Sequence, residues 1–204
     1  MERWATFDCY GTLVDWNAGI RAVVGDDRLA RYHELEPQVQ AEEPSRPYRD
    51  VLHEVSVGLG LSDPDALADS LPTWPVFPEV PGALEEARGR GWKLAILSNT
   101  DRDFIEASMS AIGVPFEFAI VASEIGSYKP AHSHWERFFN ETKAAPERHV
   151  HVAASLFHDI APANELGLRS IWFNRLGETP GPHSTRELRD LDHLAETLDE
   201  LVPA

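Results

Sequence analysis

Five short apolar runs constrain the fold of this chain more than any other feature of its sequence. Most of them are nearly continuous in apolar residues rather than alternating, which is typical of strands buried on both faces of a sheet. Helix-length segments separate the later runs, and this alternation of strand and helix predicts βαβ units in a parallel α/β sheet. The predicted strands are Trp4–Phe7, Leu94–Leu97, Phe118–Val121, Val150–Ala154 and Ser170–Phe173.

Helical periodicity fills the segments between the later runs. Asp101 or Asp103 can cap the helix that follows the second strand, because an Asp side chain accepts hydrogen bonds from a first helical turn. The leucines between Glu187 and Glu200 recur at helical spacing, which predicts an amphipathic helix docked on the domain. The other helices predicted in this part of the chain are Asp101–Ile112, Ala131–Lys143 and His158–Leu166.

A long helical segment follows the first strand. It extends from Asp15 to a proline-rich stretch, and its best helices are Arg21–Gln40 and Arg49–Leu59. Pro37 is expected to kink or split the first of these, because proline removes a backbone hydrogen bond. An insert at this place lies above the carboxyl ends of parallel strands, where ligands bind, so it is a candidate lid. We predict a Rossmann-like core domain of residues 1–14 and 82–204 and a helical cap domain of residues 15–81.

The charge of the chain excludes some classes of partner. A formal net charge of −16 repels phosphate backbones and anionic lipid headgroups, so we expect neither a nucleic acid nor a membrane as partner. A small anionic substrate stays compatible, because a local lysine or arginine can reverse the potential inside a cleft. No stretch has the roughly 18 apolar residues of a membrane span, and the N-terminus lacks the pattern of a signal peptide, which predicts a cytoplasmic protein.

Polar and charged residues follow four of the predicted strands or their helices. The carboxyl ends of parallel strands meet at one edge of a sheet, so we expect these segments to lie close together. That edge would hold two carboxylates, a lysine and several small hydrogen-bond donors. The four segments are Phe7-Asp8-Cys9-Tyr10-Gly11-Thr12-Leu13-Val14-Asp15, Leu97-Ser98-Asn99-Thr100-Asp101, Ser127-Tyr128-Lys129-Pro130 and Ala153–Asp159.

These four motifs, in this order, resemble those of the haloacid dehalogenase superfamily, and the resemblance covers nearly the whole chain. It implies a HAD-like fold and a hydrolase in which Asp8 is a covalent nucleophile. Lys129 corresponds to the lysine that balances negative charge around the nucleophile, and Asp159 corresponds to the last acidic motif. Ser98 and Asn99 correspond to residues on the oxyanion and leaving-group side.

Departures from the general pattern favour one branch of this superfamily. Its magnesium phosphotransferases have a second Asp two residues after the nucleophile, where this chain has Tyr10, and a further acid where it has Ala154. Because Mg²⁺ depends on carboxylate oxygens, we expect no metal cofactor. Tyr10 instead resembles the L-2-haloacid dehalogenases, which use no metal. The resemblance therefore implies hydrolysis of small 2-haloacids to 2-hydroxyacids through an ester on Asp8.

The same resemblance supplies the remaining candidate substrate-binding residues. Arg31 aligns with the dehalogenase arginine on the halide side, and Trp135 lies where the dehalogenases have a tyrosine. Cys9 and Tyr10 would contribute backbone donors for the substrate carboxylate. Thr12 would organise the loop that carries them.

Two alternatives stay open on the sequence alone. The first is a Mg²⁺-dependent phosphatase of the same fold that acts on a small phosphomonoester, and the missing acids argue against it. The second is a non-catalytic binding protein, which is supported by apolar Ala154 and Leu156 where dehalogenases have Ser and Asn. The presence of Asp8, Lys129 and Asp159 together argues for an enzyme. A homodimer is compatible with the resemblance.

Overall fold

Six parallel strands form one sheet in this computed structural model, which describes residues 2–204. Met1, with which the predicted core domain begins, lies outside these residues. The strand order is β3-β2-β1-β4-β5-β6, and all five strands predicted from the sequence are confirmed. The bounds are β1 Arg3–Phe7, β2 Trp92–Ser98, β3 Phe118–Val121, β4 His149–Ala153, β5 Arg169–Phe173 and β6 Arg186–Leu188.

Strand β1 lies at the centre of the sheet, and every one of its residues is buried. It pairs with β2 on one side and with β4 on the other, so the chain reverses its direction of winding at this strand. A doubly wound sheet leaves a crevice at such a point, outside the carboxyl ends of the strands. Asp8 follows the last residue of β1 and therefore lies at this crevice.

Ten α-helices surround the sheet within the described residues. None of them is long and apolar enough to span a bilayer. Their bounds are α1 Trp16–Val24, α2 Asp26–Glu42, α3 Tyr48–Gly58, α4 Ala66–Ser70, α5 Val80–Gly89, α6 Arg102–Ile112, α7 Ala122–Ile125, α8 Ser133–Thr142, α9 Ala161–Glu165 and α10 Leu194–Leu201.

The first four helices form the insert between β1 and β2, and they pack on one another. Trp74, on the returning segment, packs so closely on α1 that a Cβ atom at Gly19 would lie 2.2 Å from its ring. The chain then runs alongside the first loop, where Val76 forms an antiparallel bridge with Val14. Helix α5 begins at Val80, and the predicted division at residues 15 and 81 stays a prediction.

The break in the first long helix of the insert occurs at Gly25 and not at Pro37. Gly25 has a φ of 79°, a left-handed conformation that residues with a Cβ atom rarely adopt, and it separates α1 from α2. Helix α2 continues through Pro37, so this proline does not split the helix, and the expected kink stays a prediction. The lost backbone hydrogen bond is tolerated in a helix that buries Tyr32, Glu36 and Gln40 on one face.

Asp101 joins the core to the insert instead of capping its own helix. Its side chain makes no capping bond in α6, contrary to our expectation. It accepts hydrogen bonds from the backbone N–H groups of Tyr48, at 2.9 Å, and Arg49, at 2.8 Å. These are the first two residues of α3, which begins after Pro47 and has no side-chain cap of its own. Asp101 therefore caps a helix that is distant in the sequence.

The C-terminal segment is not helical over its whole predicted length. Residues Arg186–Leu188 pair with β5 as the edge strand β6, and only Leu194–Leu201 form a helix. The leucine spacing is compatible with a helix throughout, but backbone pairing with an available sheet edge stabilises the first part as a strand.

Replacement of Asp101 by Ala tests its role as a cap from another part of the chain. The variant leaves two N–H groups of α3 without an acceptor, so we expect the free energy of unfolding to fall by about 1–2 kcal/mol. Urea denaturation measures this change. Glu106→Ala, an exposed substitution on α6, is the control and should shift the value by less than about 0.5 kcal/mol. Equal effects of the two variants would contradict this role.

Candidate active site

A buried lysine connects the two acidic motifs. The ammonium group of Lys129 donates to Asp8 Oδ1 at 2.9 Å, to Asp159 Oδ1 at 2.6 Å and to the carbonyl of Leu97 at 2.9 Å. Only 2% of the residue is exposed. All three hydrogens of the ammonium are therefore used, and its charge is balanced by carboxylates from two different strand ends.

Asn99 holds the backbone of this lysine in place. Its side-chain oxygen accepts from Lys129 N at 2.7 Å, and its side-chain nitrogen donates to Lys129 O at 3.0 Å. The second strand-end motif therefore positions the third. Ser98, the residue before Asn99, lines the cavity described below, and its hydroxyl has no hydrogen-bond partner among the described residues.

The first loop presents the Asp8 carboxylate in a fixed orientation. Thr12 donates from its hydroxyl to Asp8 Oδ2 at 3.0 Å, and the same hydroxyl accepts from the backbone N–H of Ala154 at 3.0 Å. The carbonyl of Cys9 accepts from the backbone N–H groups of the three residues Thr12–Val14. Gly11 permits this tight turn with a φ of 89°.

A chain of buried polar groups supports Asp159 from below the sheet edge. His151 Nε2 lies 3.0 Å from Asp159 Oδ1, and His151 Nδ1 lies 2.8 Å from the hydroxyl of Thr6. That hydroxyl also lies 2.8 Å from His149 Nε2. Our sequence analysis did not find these residues, although the pattern His149-Val150-His151 within a buried strand was a visible signal.

The pKa values of Asp159 and Asp8 are shifted in opposite directions. Burial opposes ionisation of Asp159, but Lys129 and the hydrogen bond from His151 hold the pKa of Asp159 below its ordinary value. Burial raises the pKa of Asp8, and Lys129 opposes that rise only in part. Burial alone would lower the pKa of Lys129, but the two carboxylates raise it, so the lysine stays charged.

The cavity above these groups has a volume of about 330 Å³. Its floor comes from the strand ends of the core and its roof from the insert. Six of the residues predicted for the site line it, namely Asp8, Tyr10, Ser98, Asn99, Lys129 and Asp159. The rest of the lining is Trp16, Glu36, Pro37, Gln40, Tyr48, Ser155, Phe157 and His158. Of these, Ser155, Phe157 and His158 lie within the predicted strand-end motif Ala153–Asp159, whereas the sequence analysis did not assign Glu36, Pro37, Gln40 or Tyr48 to the site.

Arg31 is absent from this cavity, contrary to the role that the resemblance implied. It is exposed on α2 and forms an ion pair with Glu34, with Nη1 and Oε2 separated by 2.8 Å. The face of α2 that meets the core presents Glu36 and Gln40 instead. Sequence spacing locates a residue on a helix, but the rotation of that helix about its axis decides which face meets the cavity.

Three other predicted residues lie beside the cavity without lining it. The Cys9 side chain belongs to the apolar core, where burial raises the pKa of its thiol well above the ordinary value. Thr12 acts on Asp8 and on Ala154, as described above. Trp135 lies on α8 with its ring 5.1 Å from that of His151, so it packs against the chain of polar groups that supports Asp159.

Tyr10 lines the cavity, and its side chain is held in place by two neighbours. Its hydroxyl lies 3.1 Å from the hydroxyl of Ser108, and its ring meets that of Trp74 edge-on, with centroids 5.7 Å apart. Within residues 2–204, no group of three or more His, Cys, Asp or Glu side chains has a geometry that could hold a metal ion. The expectation that the reaction needs no metal stays a prediction.

Comparison with known proteins relates this geometry to one family. The family model for haloacid dehalogenase-like hydrolases matches residues 3–167. Haloacetate dehalogenase H-2 of Moraxella sp. is 32% identical over 129 residues, which cover 62% of this chain and 52% of that protein. Phosphoserine phosphatase of Thermus thermophilus is 29% identical over 118 residues, which cover 57% and 47%. The chain spans about half the length of these curated relatives.

A solved structure matches the whole fold. The L-2-haloacid dehalogenase from Xanthobacter autotrophicus superposes with a TM-score of 0.80 at 19% identity, and the match covers 100% of both chains. At this identity the likeness shows the fold, with both the parallel sheet and the helices of the insert included in the matched length.

Substitution of Lys129 by Met tests whether its charge is needed by the buried carboxylates. The variant leaves Asp8 and Asp159 without their shared cation, so we expect the free energy of unfolding at neutral pH to fall by about 3–5 kcal/mol. Urea denaturation measures the loss. Lys143→Met, at the exposed end of α8, is the control, with an expected change below about 0.5 kcal/mol. A loss in Lys129→Met no larger than in this control would contradict the pairing.

Proposed function

The chain belongs to the family of haloacid dehalogenase-like hydrolases, and we propose that it hydrolyses the carbon–halogen bond of small 2-haloacids through a covalent ester on Asp8, without a metal ion. The observation that carries the proposal is the way in which the Asp8 carboxylate is held by hydrogen bonds at the floor of the cavity. Its two carboxylate oxygens are held by Lys129 and Thr12, and the residue two positions later is Tyr10 rather than an acid. The haloacetate dehalogenase relative supports the same substrate class.

The first half of the proposed reaction needs an ionised Asp8 carboxylate. One of its oxygens attacks the carbon that bears the halogen from the side opposite the halogen. A bond forms between this oxygen and the carbon, and the carbon–halogen bond breaks with its electron pair leaving on the halide. Lys129 favours the charged form of Asp8 that this step requires. Halide is a stable anion, so the step needs no general acid.

Asp159 is suited to position the water of the second half. Its Oδ1 is used by Lys129 and His151, whereas its buried Oδ2 has no hydrogen-bond partner in the described part of the chain. A water molecule held by Oδ2 can attack the carbonyl carbon of the Asp8 ester, which releases the 2-hydroxyacid and restores the carboxylate. His158 lines the same cavity, and burial lowers the pKa of its imidazole, which favours the neutral form. It can take one proton from that water and pass it to the leaving oxygen of the 2-hydroxyacid, and the second proton of the water is released to solvent when the Asp8 carboxylate is restored.

A magnesium-dependent phosphatase is the alternative that the Thermus relative favours. The donor set fits Mg²⁺ poorly. Tyr10 is a neutral phenol bonded to Ser108, Ala154 offers no side-chain oxygen, and the ammonium of Lys129 already occupies one oxygen of each remaining carboxylate. Mg²⁺ needs near-octahedral oxygen coordination, and two partly occupied carboxylates supply little of it.

A non-catalytic role is less consistent with the energetics of the site. A buried ammonium shared by two carboxylates is costly to desolvate and contributes little to stability compared with apolar packing. Retention of Asp8, Lys129 and Asp159 at the floor of a cavity is therefore better explained by chemistry at Asp8 than by structural support.

Halide release from racemic 2-chloropropionate in the presence of EDTA tests the proposal. We expect release by the wild type, and a decrease of about three orders of magnitude or more in Asp8→Asn, because the amide is not a nucleophile. Asp15→Asn is the matched control. Asp15 caps α1 by accepting from Ala18 N at 2.9 Å and lies outside the cavity lining, and Asn is an equally good cap.

A single turnover in heavy-oxygen water identifies the intermediate. With enzyme in excess, we expect the heavy oxygen to appear in the peptide that contains Asp8 and not in the first product. Label in that product would contradict the ester. Release of phosphate from phosphomonoesters with Mg²⁺, together with no halide release, would support the phosphatase instead.

A further inference from the structure

The roof of the cavity carries a carboxyl group that the proposed reaction does not use. Glu36, on α2, lines the same cavity as Asp8, although only 5% of the residue is exposed. Gln40, one helical turn later, donates to Glu36 Oε1, and Tyr48 of α3 hydrogen bonds with the same carboxyl group. Both of these partners are uncharged. A carboxylate this buried is unstable without a cation, whereas a neutral carboxylic acid is not.

The charge on Glu36 determines whether the cavity repels or accepts an anion. The floor already holds Asp8, Asp159 and one ammonium, that of Lys129. The described lining contains no arginine. An ionised Glu36 would therefore give three carboxylates to one cation, and an entering anion would be repelled from both floor and roof.

The direction of attack places an anion near this roof. Asp8 lies on the floor, and in-line displacement sends the halide away from it, towards the side of the cavity that the insert forms. Glu36 lies on that side, where the sequence had led us to expect the cation of Arg31. A neutral carboxyl can replace that cation as a hydrogen-bond donor, since bonds from an O–H group to an anion are short and strong.

We propose that Glu36 is a specificity-determining residue: its neutral carboxyl donates a hydrogen bond to the anionic end of the ligand, and its ionised form excludes anions from the cavity. The proposal rests on the proposed function for the kind of ligand, a small haloacid. It adds that anion binding and proton binding by Glu36 are coupled.

This coupling sets the pH range in which anions bind. Burial raises the pKa of Glu36 to about 7, while the hydrogen bonds of Tyr48 and Gln40 oppose that rise only in part. Because the neutral form is the one that binds, affinity is highest below the pKa and falls as pH rises through it. The protonated fraction decreases by about tenfold from pH 6 to pH 8, and affinity should decrease with it.

The tyrosines around Glu36 stay neutral over this range. They are Tyr32 on α2, Tyr48 on α3 and Tyr128, which precedes Lys129, and burial raises the pKa of each above its ordinary value. Their hydroxyl groups are therefore protonated at every pH at which the protein would be studied.

The charged groups across the cavity also keep their state, with one exception. Lys129 has a raised pKa and stays positive, Asp159 has a lowered pKa and stays negative, and burial lowers the pKa of His158, which favours its neutral form. Asp8 is the exception, because burial raises its pKa. Its contribution is common to proteins with and without Glu36, so a comparison of the two isolates the effect of Glu36.

Binding of unreactive anions tests the proposal without any turnover. Sodium propionate represents the carboxylate end of the ligand and sodium bromide represents the halide. Isothermal titration calorimetry at about pH 6 and pH 8 gives the affinity of the wild type, of Glu36→Gln and of Glu42→Gln. Glu42 is an exposed acid on the same helix and serves as the matched control.

We expect the affinity of the wild type and of Glu42→Gln for at least one anion to fall about tenfold more between these pH values than that of Glu36→Gln. The amide of Glu36→Gln donates a hydrogen bond at every pH, so its binding should depend much less on pH. The anion that shows the difference identifies the end of the substrate that meets the roof.

Proton uptake gives a second measurement, made on the wild type and on Glu36→Gln. Titrations near pH 8 in buffers of different ionisation enthalpy should show close to one more proton taken up per anion bound by the wild type than by Glu36→Gln. No difference in uptake, no binding of either anion near pH 6, or the same pH dependence in Glu36→Gln would overturn the role of Glu36. Halide release from 2-chloropropionate in any of these cases would leave the proposed function intact.

Discussion

The pairing of the Lys129 ammonium with the carboxylates of Asp8 and Asp159 is the interaction on which the rest of the site depends. A lysine that is almost fully buried must have its charge balanced and its three hydrogens accepted, and Asp8, Asp159 and the carbonyl of Leu97 meet both needs. Each acceptor follows or belongs to a different strand, so the central strands must keep their register for the lysine to be satisfied. The amide of Asn99 adds two bonds to the lysine backbone. Geometry at Asp8 is therefore enforced by the cost of an unpaired buried charge.

The floor and the roof of the cavity are built on different physical principles. The floor is charged, is fixed by the ends of parallel strands, and contains the group that would attack the substrate. The roof comes from packed helices and contains polar but uncharged partners around Glu36. Asp101 connects the two parts, because its carboxylate in the core accepts from the first N–H groups of α3. The position of the roof over Asp8 thus depends in part on hydrogen bonds between segments that are far apart in the chain.

Much of the fold and about half of the candidate site were predictable from local patterns. Continuous apolar runs locate buried parallel strands, and polar residues after such strands are bound to converge at one edge. That reasoning brought Asp8, Lys129 and Asp159 together, as the structure confirms. It did not find His151 or Thr6. The role of a polar residue inside a buried strand depends on its hydrogen-bond partner on the neighbouring strand, and a local pattern does not identify that partner.

What the sequence by itself determined is the order of the strands along the chain and the set of polar groups at their carboxyl ends, because both depend on periodicity and connectivity. Only the tertiary structure decided which face of each inserted helix meets the cavity. Helix α2 begins after the break at Gly25 and buries Tyr32 in the core, and it is rotated so that Glu36 lines the cavity and Arg31 lies in solvent. Helical spacing is the same for every rotation about the axis, so no local pattern distinguishes a roof with a cation from a roof with an acid.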